Sequence, residues 1–268
     1  MLDNVLMHSS VFLLIFIRCF TMLLTLPLFS MRVVSGVTKV ALSGYMAFII
    51  FNTVDFSLYS TFLFNDEVFS LHFVLIALGE GLIGVIMGFY ISIIFAAFST
   101  SGQLTAFQMG FSAASSYDSL SQVENPLMGQ FFNFVAMFVF LQTDFLQILF
   151  TRGLIASYKS LNAVTLVAHN NDFLNFLFKG LTKLFADAFV ISLPIMGTLL
   201  MITLCMGLLS KAAPQMHLLS EGFPIMILVG FVVIVMSMPA LINFFSRSFY
   251  QGFVILEKLF ISFSGGIR

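Results

Sequence analysis

The sequence predicts an all-α, multi-helix integral membrane protein, and three observations support this class. Of the 268 residues, 60% are hydrophobic and only 9% are charged, whereas a soluble domain carries roughly 25% charged residues. Several apolar runs reach the roughly 20 residues that cross a bilayer as a helix. These runs lack the alternation of polar and apolar residues that is typical of an outer-membrane barrel, and in lipid this leaves helices.

Five of the apolar runs are long enough to predict spanning helices. They cover residues 11–30, 71–98, 131–150, 185–209 and 223–245, and a sixth run, 40–54, is short for a span. No Lys or Arg precedes the first run, so it lacks the positive region of a signal peptide and is expected to be retained. The stretch 151–184 is amphipathic, which predicts a helical hairpin at the surface or the membrane interface.

The distribution of charge disturbs a simple membrane topology. Between Lys39 and Arg152 there is no Lys or Arg, but there are seven acidic residues. Positively charged loops normally stay in the cytoplasm. If the run between loops 55–70 and 99–130 crosses the bilayer, one of these loops is a cytoplasmic loop without positive charge. The alternative is that some of these helices are buried in protein and do not cross lipid in the ordinary way.

Three ionisable residues, Arg18, Glu80 and Asp187, lie in or near apolar runs. A charge in the hydrocarbon costs from about 2.5 kcal/mol upward, so each is a functional candidate. The structural alternative is that Arg18 and Glu80 pair with each other, or bond to backbone carbonyls, inside the bundle. Asp187 could lie at the start of a helix.

Small residues and thiols in the apolar runs predict packing rather than chemistry. Gly84 and Gly88 form a small-xxx-small pair, which lets two helix backbones approach closely, although a hinge is the alternative. Cys19 and Cys205 both lie in apolar runs, which predicts buried reduced thiols and no disulfide or metal site.

Segment 99–122, STSGQLTAFQMGFSAASSYDSLSQ, is the most unusual part of the chain. It is too polar to face lipid, yet Asp118 is its only charge. Its polar groups would be satisfied inside protein or along a water-filled path, where irregular backbone is tolerated at membrane depth. An ordinary exterior loop is the alternative.

Proline and glycine interrupt the last two apolar runs within residues 206–224. Pro214 and the triplet Gly222-Phe223-Pro224 lie there, and proline kinks or ends a helix. This pattern predicts a helix-to-helix turn between the last two spans.

The sequence lacks the usual patterns of catalysis and ligand binding. None of the four His is in a metal-ligand spacing, and residues 110–114 read GFSAA, which leaves the GxSxG elbow incomplete. Basic residues are too few and scattered for nucleic-acid binding. We therefore predict no enzyme activity, no cofactor and no nucleic-acid partner.

Two segments together resemble the FliR family of flagellar type III export-gate proteins, called SctT in virulence injectisomes. The first matches a Gln-Met-Gly-x-Ser pattern, and the second a Gly-Leu-Leu…Ala-Pro-Gln…Gly-Phe-Pro pattern. The matching residues are Gln108-Met109-Gly110-Phe111-Ser112, Gly207-Leu208-Leu209, Ala213-Pro214-Gln215 and Gly222-Phe223-Pro224. Arg18 and the later Pro27, both in the first run, also match the family pattern.

The resemblance implies one membrane-embedded domain, 1–268, in which 1–184 is similar to FliP-like subunits and 185–268 to a FliQ-like helical hairpin. Such a subunit joins FliP-like and FliQ-like partners in a closed helical spiral. That spiral is the entrance portal for unfolded flagellar export substrates in the bacterial inner membrane, at the flagellar basal body. An FlhB-like protein wraps its cytoplasmic mouth and an FlhA-like protein lies beneath it. Helices raised out of the bilayer would explain the charge distribution.

The resemblance also implies that segment 99–122 is a plug inside the closed pore. The implied pore residues are Phe107, Gln108, Met109, Gly110, Phe111 and Ser112. The predicted structural or assembly residues are Arg18, Glu80, Gly84 and Gly88, from their charge and spacing, and Pro214, Gln215, Gly222, Phe223 and Pro224, from the family motif. The residue types agree with a plug, because Gly102 and Gly110 allow backbone bends, and large apolar side chains can seal a pore.

Two other functions remain open at this stage. The first is the injectisome role of the same family. The second is a small-solute secondary transporter, which predicts internal repeats and ion sites near the bilayer midplane, and the sequence shows neither.

Overall fold

The computed structural model describes residues 9–30, 34–53, 71–111, 127–160, 170–212 and 218–264. These ranges are helical apart from short turns and contain no strand, which confirms the predicted all-α class. Three of the described helices are long and apolar enough to cross a membrane, and the number rises to four if one bent pair is counted as a span.

Three of the described helices are much longer than the apolar runs that predict them. They are α1 (Ser9–Thr25), α2 (Pro27–Ser30), α3 (Gly36–Phe51), α4 (Leu71–Met109), α5 (Leu127–Gln142), α6 (Phe145–Ile148), a π-helix (Leu149–Leu154), α7 (Ile155–Ser160), α8 (Asn170–Ala212) and α9 (Leu218–Ser264). Helices α4, α8 and α9 have 39, 43 and 47 residues, about twice the length of a bilayer crossing. Of the stretch 151–184, residues up to 160 and from 170 onward are helical and the latter belong to α8; residues 161–169 lie outside the described residues, so the hairpin stays a prediction.

Local sequence signals explain where several helices begin and end. Pro27 opens α2, a position where its missing amide hydrogen costs little. Ser35 caps α3, because its hydroxyl accepts a hydrogen bond from the Thr38 amide at 3.2 Å. Helix α4 ends at Met109. The next residue, Gly110, has a φ of +87°, the left-handed conformation that commonly terminates helices.

A sharp turn separates α5 from the helices that follow. Asp144 has a φ of 56°, and the helix direction changes by 67° between Leu127–Gln142 and Phe145–Tyr158. The single run predicted for 131–150 is therefore broken inside its length.

Three prolines lie inside the long helices: Pro194 in α8, and Pro224 and Pro239 in α9. Within the stretch 206–224, α8 ends at Ala212 and α9 begins at Leu218, so the break between the last two long helices falls inside the predicted stretch. Gly222-Phe223-Pro224 lies within α9 and does not form the turn. Pro224 is the seventh residue of α9, past the four whose amides lack a partner in any helix, so it removes one helical hydrogen bond. Pro214 and Gln215 lie outside the described residues.

The chain divides into two compact units. The first contains Met1–Ile93, Asp144–Gly180 and Tyr250–Arg268, and the second contains Ile94–Thr143 and Leu181–Phe249. These packing units differ from the division after residue 184 that the family resemblance implies. That division concerns likeness to other subunits, and it stays a prediction.

Each unit has its own core. In the first, one face of α1 is buried at helical spacing, and the rings of Tyr90 and Phe176 pack with centroids 4.4 Å apart. In the second, phenylalanine rings from three helices form a cluster, with centroid distances of 4.1 to 5.4 Å among Phe95, Phe98, Phe140, Phe245 and Phe249. Tilted and edge-on ring pairs of this kind add to the stability from burial.

Candidate functional site

In the second unit, the two segments that carry the family resemblance meet. The end of α4 contributes Met109, Gly110 and Phe111. Helix α9 contributes Phe223, Gly230 and Phe231. We call these six residues the motif junction. More than one hundred residues separate its two halves in the sequence.

Gly110 fits the motif junction for two reasons. Its φ of +87° is rarely adopted by residues with a side chain. A Cβ at this position would also lie 2.6 Å from Cε1 of Phe223, which is closer than real Cβ atoms approach. The ring of Phe223 therefore covers the turn that ends α4.

Met109 and Phe111 pack on either side of that turn. Met109 is fully buried, and its Cγ is 2.8 Å from the place where a Cβ of Gly230 would stand. Gly230 therefore provides a notch for the methionine. The rings of Phe111 and Phe231 meet edge to face with centroids 6.4 Å apart. The described end of segment 99–122 is thus held by α9.

The structure separates the predicted pore residues into two groups. Met109, Gly110 and Phe111 are packed in the motif junction, whereas the side chain of Phe107 is 70% exposed and Gln108 is half-buried. Ser112 and the rest of the segment to residue 122 lie outside the described residues.

The described part of segment 99–122 is helical, which corrects the prediction of irregular backbone. Residues 99–109 continue α4, and Gly102 is a packing position within this helix and does not form a bend. A Cβ at Gly102 would clash with the Met128 carbonyl of α5. A Cβ at Gly129 would lie 3.0 Å from the Ser99 carbonyl oxygen. The two helix backbones therefore cross in close contact.

The first unit contains the predicted pair of buried charges. Arg18 on α1 and Glu80 on α4 are both fully buried, and Nε of Arg18 donates to Oε2 of Glu80 at 2.6 Å. A second guanidinium nitrogen, Nη2, forms an ion pair with the same oxygen. The structure thus brings these two residues together, and their role in assembly stays a prediction.

Two further residues complete this polar cluster, and the sequence did not single them out. Arg18 Nη1 donates to the Ser157 hydroxyl at 2.9 Å, and the guanidinium carbon lies 4.0 Å from the ring centroid of Tyr158. The Tyr158 hydroxyl donates to the Ile15 carbonyl at 3.1 Å. Both residues fall in the stretch predicted to be superficial, yet both are buried.

The glycine pair in α4 lies at a close crossing with α1. A Cβ at Gly84 would clash with the Arg18 carbonyl, and a Cβ at Gly88 would lie 2.7 Å from the Met22 carbonyl oxygen. The hydroxyls of Thr21 and Thr25 point to carbonyls of their own helix, so they present no unpaired donor at the crossing. The structure therefore places the tight helix contact where the small-xxx-small pattern predicts it.

The remaining charged and thiol candidates behave differently from their predictions. Asp187 is in the middle of α8, not at a helix start, and it accepts a hydrogen bond of 2.8 Å from the Ser248 hydroxyl in the same unit. Cys19 is buried as predicted, but Cys205 is exposed. Within the described ranges, no group of three or more His, Cys, Asp or Glu could hold a metal ion.

Helices α8 and α9 expose long apolar faces. In their most apolar windows, 22% and 17% of residues are buried within the chain, against 56% for α4. Large exposed hydrophobic residues occur from Leu174 to Leu209 on α8 and from Ile225 to Ile261 on α9, with exposed charges among them at Lys179, Arg247, Glu257 and Lys258. At a rise of 1.5 Å per residue each of these stretches is about 50 Å long, whereas the hydrocarbon core of a bilayer is about 30 Å thick.

Comparisons with known proteins agree with the resemblance. A family model described as bacterial export proteins, family 1, matches residues 9–252. The flagellar biosynthetic protein FliR of Bacillus subtilis is 30% identical over 232 residues, 86% of each chain. FliR of Borreliella burgdorferi is 33% identical over 172 residues, 64% of each chain. FliR of Escherichia coli is 28% identical over 244 residues, 91% of this chain and 90% of the relative.

Proposed function

This chain belongs to family 1 of the bacterial export proteins, and we propose that it forms, with FliP-like and FliQ-like subunits, the closed entrance portal for unfolded flagellar export substrates. The coarser assignment is direct, because the family and its flagellar relatives identify a membrane subunit of the flagellar export apparatus. The flagellar names of these relatives favour the flagellar role over the injectisome role. The named partners, the portal and its plug are the proposal.

The length of the exposed apolar faces carries the proposal. Lipid can cover about 30 Å of a helix, so exposed hydrophobic residues that are spread over about 50 Å of α8 or α9, although charges interrupt them, reach beyond the hydrocarbon. An exposed apolar surface of this size in water is unfavourable and marks an interaction site. Partner helices would cover the excess. This favours a subunit that is complete only in an assembly, with 185–268 as the FliQ-like hairpin and FlhB-like and FlhA-like proteins as later contacts.

The motif junction supports the gating part of the proposal. Met109 and Phe111 anchor the end of α4, and the exposed ring of Phe107 is available to meet partner side chains. A closed pore must stop ions, and large apolar side chains do so by excluding water. In this proposal Phe107 belongs to the seal, and the motif junction holds the seal in place.

Co-expression tests the assembly. The chain expressed alone should aggregate in mild detergent, because its apolar faces are uncovered. Together with FliP-like and FliQ-like subunits from the same bacterium it should yield one discrete complex. A stable, monodisperse chain without partners would contradict the proposal.

Ion conductance of the reconstituted complex tests the seal. Deletion of residues 107–113, or Met109→Ala combined with Phe111→Ala, should leave the complex assembled but leaky to small ions. The milder variant Phe107→Ala should leak without affecting the anchor. Phe138→Ala is the matched control, because Phe138 is a 71% exposed phenylalanine of the same unit, on α5. If the deleted complex assembles and stays as ion-tight as the parent, these residues are not the seal.

A further inference from the structure

An apolar groove lies in the first unit between the segment that follows the α5 turn and the end of α9. Its volume is about 140 Å³, and it is partly open to the surroundings. The rings of Phe145 and Phe253 stack within it at 5.5 Å. The other apolar lining residues include Ile148, Ala156, Val254, Leu256 and Phe260.

Two opposite charges line this groove. Arg152 belongs to the π-helix and Glu257 to α9, and both are exposed. Neither has a salt bridge or a side-chain hydrogen bond within the described ranges, in contrast to the buried pair Arg18–Glu80. In a chain with 9% charged residues, a cation and an anion on one apolar groove are unusual. The π-helix also matters, because this wide turn is rare and frequent at functional sites.

The dimensions of the groove decide what it can hold. Its walls run over residues 145–156 and 250–260, which is about 15 Å of helix at 1.5 Å per residue. A volume of about 140 Å³ spread over this length makes the groove narrow. An α-helix with side chains is about 10–12 Å across, so a partner helix does not fit inside. An extended hydrocarbon chain does.

We propose that this groove binds a zwitterionic phospholipid with a primary ammonium headgroup. The acyl chain lies against the phenylalanine-lined wall, the phosphate pairs with Arg152, and the ammonium donates to the Glu257 carboxylate. Arg152 follows two residues after the apolar run 131–150, and Glu257 lies 12 residues beyond the run 223–245, so neither charge is inside a predicted span. Glu257 disfavours a purely anionic lipid, which a site with bases alone would select. This inference requires only that the chain is a membrane protein, so it can fail independently of the plug.

Lipid retention by the purified export complex tests the proposal. The complex is exchanged into detergent with equal amounts of dioleoyl phosphatidylethanolamine and dioleoyl phosphatidylglycerol, and bound lipid is measured by native mass spectrometry. The parent should retain the ethanolamine lipid in preference. Arg152→Gln should reduce its retention at least about tenfold, as expected for the loss of a charge-assisted contact. Glu257→Gln should shift the preference toward the glycerol lipid.

Lys258→Gln is the matched control, because Lys258 is an exposed cation next to Glu257 that does not line the groove. It should leave retention unchanged. A photoreactive ethanolamine lipid should label peptides from 145–156 and 250–260. Equal retention of both lipids, equal effects of Arg152→Gln and Lys258→Gln, labelling confined to other peptides, or full competition by soluble phosphoethanolamine would each overturn the proposal.

Discussion

Replacing Arg18 with leucine should severely destabilise the first unit. The guanidinium bonds to Glu80 at 2.6 Å and to Ser157 at 2.9 Å, and it stacks on Tyr158. Arg18→Leu removes the ion-pair partner of the fully buried Glu80 carboxylate. Breaking a buried ion pair by removing one partner costs about 3–5 kcal/mol, a large fraction of the stability of an ordinary domain.

The double variant separates a lost pair from a lost side chain. Glu80→Leu alone should cost a similar amount, since it strands the guanidinium. Arg18→Leu combined with Glu80→Leu should be much milder than the sum, because an apolar replacement of a whole buried pair is often close to neutral. The measurement is a double-mutant cycle on thermal unfolding of the purified export complex in mild detergent, with complex yield followed in parallel.

Arg247→Leu is the control, because Arg247 is an exposed arginine on α9. Its effect should stay within about 0.5 kcal/mol, as for most surface substitutions. If the two leucine variants combine additively to within about 0.5 kcal/mol, the buried pair is not coupled and the reasoning is refuted.

Three glycine substitutions test the close contacts. Gly88→Ala should lower the melting temperature, because its Cβ would meet the α1 backbone. Gly197→Ala is the control, because its Cβ would meet nothing within 4 Å, and it should raise the free energy of unfolding by about 0.5–1 kcal/mol. Equal melting temperatures of the two variants would argue against the close helix crossing. Gly110→Ala forces a left-handed conformation on a residue with a side chain, at about 1–2 kcal/mol, and should raise ion conductance of the assembled complex. Gly230→Ala should also raise conductance by displacing the buried methionine from its notch. Gly222→Ala is the control, because its Cβ would closely approach only the terminal methyl of a flexible methionine, and its complex should stay ion-tight. A higher ion conductance for Gly222→Ala than for Gly110→Ala and Gly230→Ala would contradict the role of the motif junction.

Hydropathy was sufficient to predict the helical class and the approximate positions of the long helices, because the apolar character of each run can be read from that run by itself. The partner of a buried charge cannot be read from one run. Arg18 and Glu80 are 62 residues apart, and Arg18 and Ser157 are 139 apart. The rule that a buried charge is paired predicts that Arg18 has partners. Only the three-dimensional structure shows that Ser157 and Tyr158 are among them.

Segment 99–111 shows why polar composition misled the prediction. A serine- and threonine-rich stretch is typical of a loop, but these side chains can also bond to their own helix. The Thr105 hydroxyl donates to the Ser101 carbonyl at 2.9 Å, and both residues are buried. Small polar residues therefore serve here to pack helices closely, as glycine does at Gly102.

Prolines inside the long helices leave two carbonyl groups without their usual donors. Pro194 and Pro239 cannot supply the amide hydrogen that the carbonyls of Val190 and Val235 would otherwise accept. Both valines have exposed side chains, and lipid tails carry no hydrogen-bond donor. These carbonyls are therefore polar sites on two apolar helices. A bend in the helix, a water molecule or a polar group from a neighbouring chain would satisfy them at a lower free energy than exposure to hydrocarbon.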